Sequence, residues 1–279
     1  MSFSWLFFAA AVNSRLMASQ TQLFILAGLF GACIGSFLNV VICRLPLGES
    51  VVTPRSRCPY CQYAIAWYDN IPVLSFLLLA GKCRHCRGRI DLQYPLVELV
   101  ATFLALATFA HVKLVTPFLL YYCLFMAPLI AVIFIDLRHQ IIPNIISLSG
   151  IPIGLIVSLF LAHPLMRQSV LIDRVAGIFV GGGFLFCVGT LYEKIKHREG
   201  LGGGDVKLAA LFGAFFGWQA VVFILLLSSV LGSIVGVLFI LFLKRNWQFA
   251  IPFGPFLAFS AYLYFFFGPP ILNWYLSLF

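Results

Sequence analysis

The feature that most constrains this chain is a series of apolar runs, each long enough to cross a bilayer, separated by short polar breaks. A transmembrane helix needs about 20 mostly apolar residues. Runs of that kind occur near 22–43, 95–111, 114–135, 142–162, 171–192 and 251–267. A further apolar stretch, 206–243, is too long for one helix and reads as a hairpin turning at Gly217-Trp218-Gln219 or near Ser228-Ser229. Hydrophobic residues are 62% and charged residues 10% of the 279 positions, far from the one-quarter charged share of soluble domains. The fold class expected is an all-α polytopic membrane protein with about eight transmembrane helices, in contact with a lipid bilayer.

The net charge of +9 would point a soluble chain toward nucleic acid. Here the Lys and Arg residues stand in short loops between apolar runs, where they set topology, and no nucleic-acid partner is expected. With the 44–94 segment in the cytoplasm, fourteen of the 18 Lys and Arg fall on that side and four (Arg15, Lys113, Arg167, Arg174) on the other. An even number of spans then puts both termini on the outer, periplasmic side. No Lys or Arg precedes the apolar start Phe3 to Val12, so residues 1–21 read as an uncleaved amphipathic or partly inserted start and not as a cleaved signal. The expected organisation is this N-terminal segment 1–21, a first span 22–43, a cytoplasmic loop domain 44–94 and a membrane domain 95–279. Within the loop domain, Ile71 to Ala80 is apolar but too short to span, and reads as an interfacial or re-entrant piece.

Four of the eight cysteines, Cys58, Cys61, Cys83 and Cys86, form two C-x2-C pairs in the most polar part of the chain, twenty-one residues apart. Four thiolates can close a tetrahedral zinc shell, and the spacing suits a zinc ribbon or related knuckle. The reducing cytoplasm argues against disulfides. A closed shell leaves no position for a catalytic water, so zinc would be structural, in a small cytoplasmic zinc-ribbon-like insert. His85 lies inside the second pair and reads as a residue outside the thiolate shell. Cys33, Cys43, Cys123 and Cys187 sit in apolar runs and read as small buried hydrophobes.

Two aspartates stand against apolar runs. Asp136 closes one run and opens Asp136-Leu137-Arg138-His139-Gln140; Asp205 follows Gly200-Leu201-Gly202-Gly203-Gly204. An acid beside hydrocarbon marks a functional-site candidate, and two carboxylates held close share a proton as an aspartic protease requires. Taken alone, Asp136 also fits a helix-end charge snorkelling to the interface. The glycines before Asp205 permit close approach of an extended peptide; a phosphate cradle fits poorly, since no Lys-Ser or Lys-Thr follows. An ion-coupled transporter would need mid-span polar residues or paired broken helices, which are scarce here. His139 lies near enough in sequence to join the site.

Several motifs in order carry a family resemblance. They are Gly35-Ser36-Phe37-Leu38-Asn39-Val40-Val41-Ile42 with Arg44-Leu45-Pro46; the cysteine tetrad with Asn70-Ile71-Pro72-Val73-Leu74-Ser75; Tyr94-Pro95-Leu96-Val97-Glu98; Asp136 with Ile142-Pro143; and Gly202-Gly203-Gly204-Asp205-Val206-Lys207-Leu208. From about residue 28 to 260 the chain resembles the bifunctional type IV prepilin peptidases, the prepilin leader peptidase/N-methyltransferases, among the GxGD-type intramembrane aspartic proteases. The resemblance implies a bacterial inner-membrane enzyme that removes the basic leader of type IV prepilins or type II secretion pseudopilins after a glycine. It further implies that the enzyme N-methylates the exposed residue with S-adenosylmethionine. The family's two aspartates map onto Asp136 and Asp205, and Glu98 becomes a candidate for the cofactor site, the alternative being a helix-start acid favoured by the macrodipole. The chain departs from the family pattern at Asn144, where an acid often follows Ile-Pro and where capping is the expected role. It departs again at Asp91 and Gln93, where Ser and Arg are often found, in the region associated with methyl transfer. Readings left open are a peptidase alone, a related protease of archaellin precursors or signal-peptide remnants, and a non-enzymatic membrane assembly factor whose zinc knuckle docks a partner.

Overall fold

The computed structural model describes residues 3–196, 202–243 and 252–277. His197, Arg198, Gly200, Leu201, Lys244 and Arg245, all used in the sequence reading, lie outside the described residues. Eleven α-helices follow one another among those described: α1 Phe3–Arg44, α2 Leu74–Leu78, α3 Gln93–Val112, α4 Val115–Tyr121, α5 Ala127–His139, α6 Asn144–Leu161, α7 Arg167–Ile178, α8 Phe184–Lys196, α9 Gly203–Phe216, α10 Trp218–Leu243 and α11 Gly254–Leu276. Single π-turns, Tyr122–Met126 and Phe179–Gly183, weld α4 to α5 and α7 to α8. Seven spans are long and apolar enough to cross a membrane: Ser19–Leu47, Gln93–Val112, Val115–His139, Asn144–Leu161, Pro164–Ile195, Trp218–Phe239 and Gly254–Tyr275. This is a multi-pass helical membrane protein.

The 206–243 stretch is a hairpin, and its turn is at Gly217, whose φ of 89° only glycine adopts readily. Its first arm, α9, has 14 residues and so measures about 21 Å, short of the roughly 30 Å hydrocarbon core. That is why α9 is absent from the spanning set although it is apolar.

The chain divides into two compact units. The first comprises residues up to 40 together with 52–122. In it, α1 lays Gly28, Gly31 and Gly35 against α3. A methyl group at Gly35 would stand 2.7 Å from the Glu98 Cα, and one at Gly31 3.0 Å from the Ala101 carbonyl oxygen. Small residues spaced in this way let two membrane helices approach backbone to backbone. Tyr122 Oη donates to the Ala101 carbonyl at 2.9 Å and lies 3.5 Å from the Gly31 carbonyl, at the seam where α1 meets α3.

The second unit holds 41–51 and 123–279, and α9 is its axis. Leu208 through Phe215 are all buried. Glycines of the surrounding helices make the room. Gly154 on α6 faces Phe215, Gly177 on α7 meets the Gly213 backbone, and Gly181 in the second π-turn faces the Ala209 carbonyl. An aromatic cluster of Phe125, Phe212, Phe215, Phe216 and Tyr264 fills the space between α9 and its neighbours. The effect is to hold a short, fully wrapped helix whose N-terminus carries Asp205.

Candidate active site

Asp136 lies on the last turn of α5, which ends where Gln140 adopts a left-handed φ of 53° and its N–H returns to the Asp136 carbonyl at 2.9 Å. Asp205 lies in the first turn of α9, its backbone N–H bonded to the Gly202 carbonyl at 3.0 Å. The side chains are buried, with 5% and 9% of their residue surfaces exposed. The Gly254 N–H at the start of α11 donates to Asp136 Oδ2 at 3.0 Å, fixing how that carboxylate faces.

Ile142 links the two acids. A methyl group at Gly254 would stand 3.2 Å from Ile142 Cδ1 and 2.6 Å from Asp136 Oδ2; one at Gly204, beside Asp205, would stand 2.8 Å from Ile142 Cβ. The ends of α5, α9 and α11 thus close around one isoleucine, and the two carboxylates feel each other's charge. Gly204 and Gly254 are glycines because a side chain at either would push Ile142 or Asp136 aside. Residues 136 and 205, sixty-nine positions apart, are both buried and are brought to the same end of this unit. Such a pair can hold a water between a base and an acid.

Gly254 was not singled out in the sequence, although Pro252-Phe253-Gly254-Pro255 at the head of the last apolar run is the kind of tight helix start that exposes backbone N–H groups. Asn144 corrects an expectation: α6 has no side-chain cap. The Asn144 side-chain oxygen instead accepts from Lys207 Nζ at 2.7 Å, tying the start of α6 to the first turn of α9. His139 is exposed at the end of α5.

The cysteine tetrad folds as two matching knuckles. Cys58 N–H bonds the Tyr63 carbonyl and Cys83 N–H the Gly88 carbonyl, at 3.0 and 2.8 Å. Each turn closes on a residue of positive φ, Gln62 at 58° and Arg87 at 58°. Antiparallel bridges Arg57–Ala64 and Lys82–Arg89 flank them. The four Sγ atoms lie within 4.8 Å of one another, and Cys58 Sγ to Cys86 Sγ is 3.7 Å. A tetrahedral zinc with Zn–S near 2.3 Å requires sulfur separations of about 3.8 Å, so the set fits that ion. Burial pushes the Cys58 thiol up, but hydrogen bonds from the Cys61 and Tyr60 backbone prevail and bring it down to about 7. The Gly88 N–H favours the Cys86 thiolate, yet burial and the three neighbouring thiols outweigh it and raise Cys86 to about 11. Four thiolates this close need a cation to ionise together. His85 stacks on Tyr63 at 4.7 Å and is not among the four ligand atoms. Arg84 grips Asp69 through two nitrogens, fastening the second knuckle to the 67–70 turn.

Glu98 is buried in the second turn of α3, and no acid occupies the first. Its Oε2 accepts the Val73 N–H at 2.7 Å. The helix-start reading of this acid is therefore replaced by a contact to the loop that precedes α3.

Residues 29–112 match the profile of the bacterial peptidase A24 N-terminal domain, and 123–237 match the type IV leader peptidase family. The chain is 32% identical over 289 aligned positions to a prepilin leader peptidase/N-methyltransferase of Legionella pneumophila, covering 95% of this chain and 99% of that one. A protein of the same name from Myxococcus xanthus is 41% identical, covering 76% of this chain and 61% of its own length. One from Aeromonas salmonicida is 36% identical over 91% and 94%. No solved structure gives a significant match. The paired aspartates on short buried turns, the thiol tetrad and these alignments along nearly the whole length agree, and the chain belongs to the type IV leader peptidase family, with the prepilin leader peptidase/N-methyltransferases as its relatives.

Proposed function

We propose that this protein is a multi-pass inner-membrane aspartic endopeptidase that removes the basic leader from type IV prepilins or type II secretion pseudopilins, and that it then N-methylates the new N-terminal residue. The observation that carries the reading is the meeting at Ile142 of Gly254, which bonds Asp136, and Gly204, which immediately precedes Asp205. One carboxylate, ionised, takes a proton from a water held between them; the other, protonated, donates to the scissile carbonyl oxygen. The pair titrates as a unit, so its proton belongs to neither residue alone. Gly254 N–H holds the Asp136 carboxylate in one orientation through the reaction. No covalent intermediate with the protein is needed.

The excess of Lys and Arg in the loops beside Asp136, Asp205 and the tetrad supports a cytoplasmic position for these residues. A basic leader stays on that side by the same rule. Cys58, Cys61, Cys83 and Cys86 would hold one zinc, which would stabilise the knuckles and take no part in either reaction. S-adenosylmethionine would supply the methyl group, and the amine released by cleavage would receive it.

The test is conversion of a precursor pilin to its shorter form by the protein in detergent, with Asp205→Asn as comparison. The expected result is conversion by the wild type and none by the variant. A variant that converts at the wild-type rate would remove Asp205 from the mechanism.

A further inference from the structure

Away from the aspartates, the start of α3 gathers a second set of buried polar groups. Asn39, Gln93 and Glu98 have 2%, 6% and 8% of their surfaces exposed. Asn39 Nδ2 donates to the Tyr94 carbonyl at 3.0 Å, the carbonyl one helical turn before Glu98, so Asn39 sits against the first turn of α3. Among the described residues, six buried side-chain polar atoms have no hydrogen-bond partner, and three of them are Asn39 Oδ1, Gln93 Oε1 and Gln93 Nε2. Among the described residues, the Glu98 carboxylate accepts from the Val73 N–H and the Ser36 hydroxyl. Val73, which makes that bond, is held at a φ of 60°, a region β-branched residues rarely enter.

Buried amides without partners cost free energy that a leucine would not. Two side chains with such atoms at one helix start, with a buried carboxylate in its second turn, therefore call for a function, and their chemistry states what they would accept. Asn39 Oδ1, Gln93 Oε1 and the Glu98 carboxylate are acceptors, one of them charged, while Gln93 Nε2 is a donor. The complement is a cation with several N–H groups beside a carbonyl or carboxylate oxygen.

Building on the two-activity reading above, we propose that Asn39, Gln93 and Glu98 bind the α-ammonium group of an aminoacyl unit, with its neighbouring carbonyl or carboxylate oxygen on Gln93 Nε2. The ammonium replaces the Val73 N–H on Glu98 Oε2. Two ligands of the proposed methyl transfer carry this chemistry: the new N-terminal residue of a cleaved pilin, and the amino-acid end of S-adenosylmethionine.

Isothermal calorimetry on the full-length protein in detergent tests this. The probes are a peptide beginning with a free Phe, the same peptide N-acetylated, S-adenosylmethionine, and its analogue lacking the amino group. Wild type should bind a free-amine probe, and Gln93→Leu and Glu98→Gln should each bind it at least tenfold more weakly. Both variants should bind the amine-blocked counterpart as wild type does. Gln93→Leu should unfold at or above the wild-type temperature, because it removes two unpartnered atoms. Loss confined to the peptide pair assigns the site to the cleaved substrate; loss confined to the S-adenosylmethionine pair assigns it to the methyl donor. Equal loss for free and blocked probes, or no loss for any, would overturn the inference. Cleavage by wild type is scored in the same preparation, so a failed peptidase reading appears as absent cleavage while the binding result stands.

Discussion

Replacing Gly254 by Ala should slow cleavage without dismantling the fold. The Gly254 N–H bonds Asp136 Oδ2 at 3.0 Å, and an added methyl group would stand 2.6 Å from that oxygen, 3.2 Å from Asp136 Cγ and 3.2 Å from Ile142 Cδ1. A carbon 2.6 Å from an oxygen is well inside van der Waals contact, so the carboxylate rotates away or α11 withdraws. Either motion breaks a hydrogen bond to a charged group, worth about 1.5–3 kcal/mol, which converts to about ten- to hundredfold in rate. The assay is kcat/KM for a precursor pilin in detergent, with the unfolding temperature measured alongside. Gly232→Ala on α10 is the comparison, since a methyl group there meets nothing nearer than 3.7 Å and should leave both quantities unchanged. Cleavage by Gly254→Ala at the wild-type rate would refute the view that this amide positions Asp136.

Purified protein should contain one zinc per chain by elemental analysis, and Cys58→Ser or Cys86→Ser should lose it and make the 52–92 segment more readily cut by protease, since folding of so small a module is coupled to its metal. Thiolates, not thiols, hold zinc, so retention should be full at neutral and high pH and be lost only in acid, well below the pH at which the metal-free thiols take up protons, because the bound ion keeps its ligands deprotonated. Gly217→Ala should lower the unfolding temperature by several degrees, because the methyl group would strike the Asp173 carboxylate and the Arg174 guanidinium, and overpacking of that kind costs about 1–3 kcal/mol. Asp136→Asn should still methylate a pilin supplied already cleaved, as read by mass spectrometry; loss of methylation along with cleavage would contradict two separate sites.

Much of the fold could be read from the chain because a bilayer imposes one strong rule: a helix must present about 20 apolar residues or fail to span. The Gln93–Val112, Val115–His139 and Asn144–Leu161 spans follow from that rule within a few residues, and the tetrad follows from cysteine spacing alone. The hairpin of 206–243 was legible as a hairpin, but its uneven arms were not. The length of α9 is set by where Gly217 finds room beside Asp173 and Arg174, a tertiary fact with no local signature. The same holds within the site. Asp136 and Asp205 announce themselves as acids beside hydrocarbon, whereas Gly254, 118 positions from Asp136, joins them only because α11 begins where α5 ends. Asn144 reads locally as a cap; Lys207, on another helix, claims its side chain instead. Asn39 sits in the largely apolar second half of α1, and nothing local tells that its amide will meet the Tyr94 carbonyl 55 positions on.

The central claim is that Asp136 and Asp205 act as one catalytic unit. It is tested most directly by the cleavage rates of wild type, Asp136→Asn, Asp205→Asn and the double variant on one precursor pilin. Groups that work as a unit are strongly non-additive, so each single variant should fall to the background rate and the double variant no lower. Near-wild-type cleavage by either single variant, or single losses that multiply in the double variant, would contradict it.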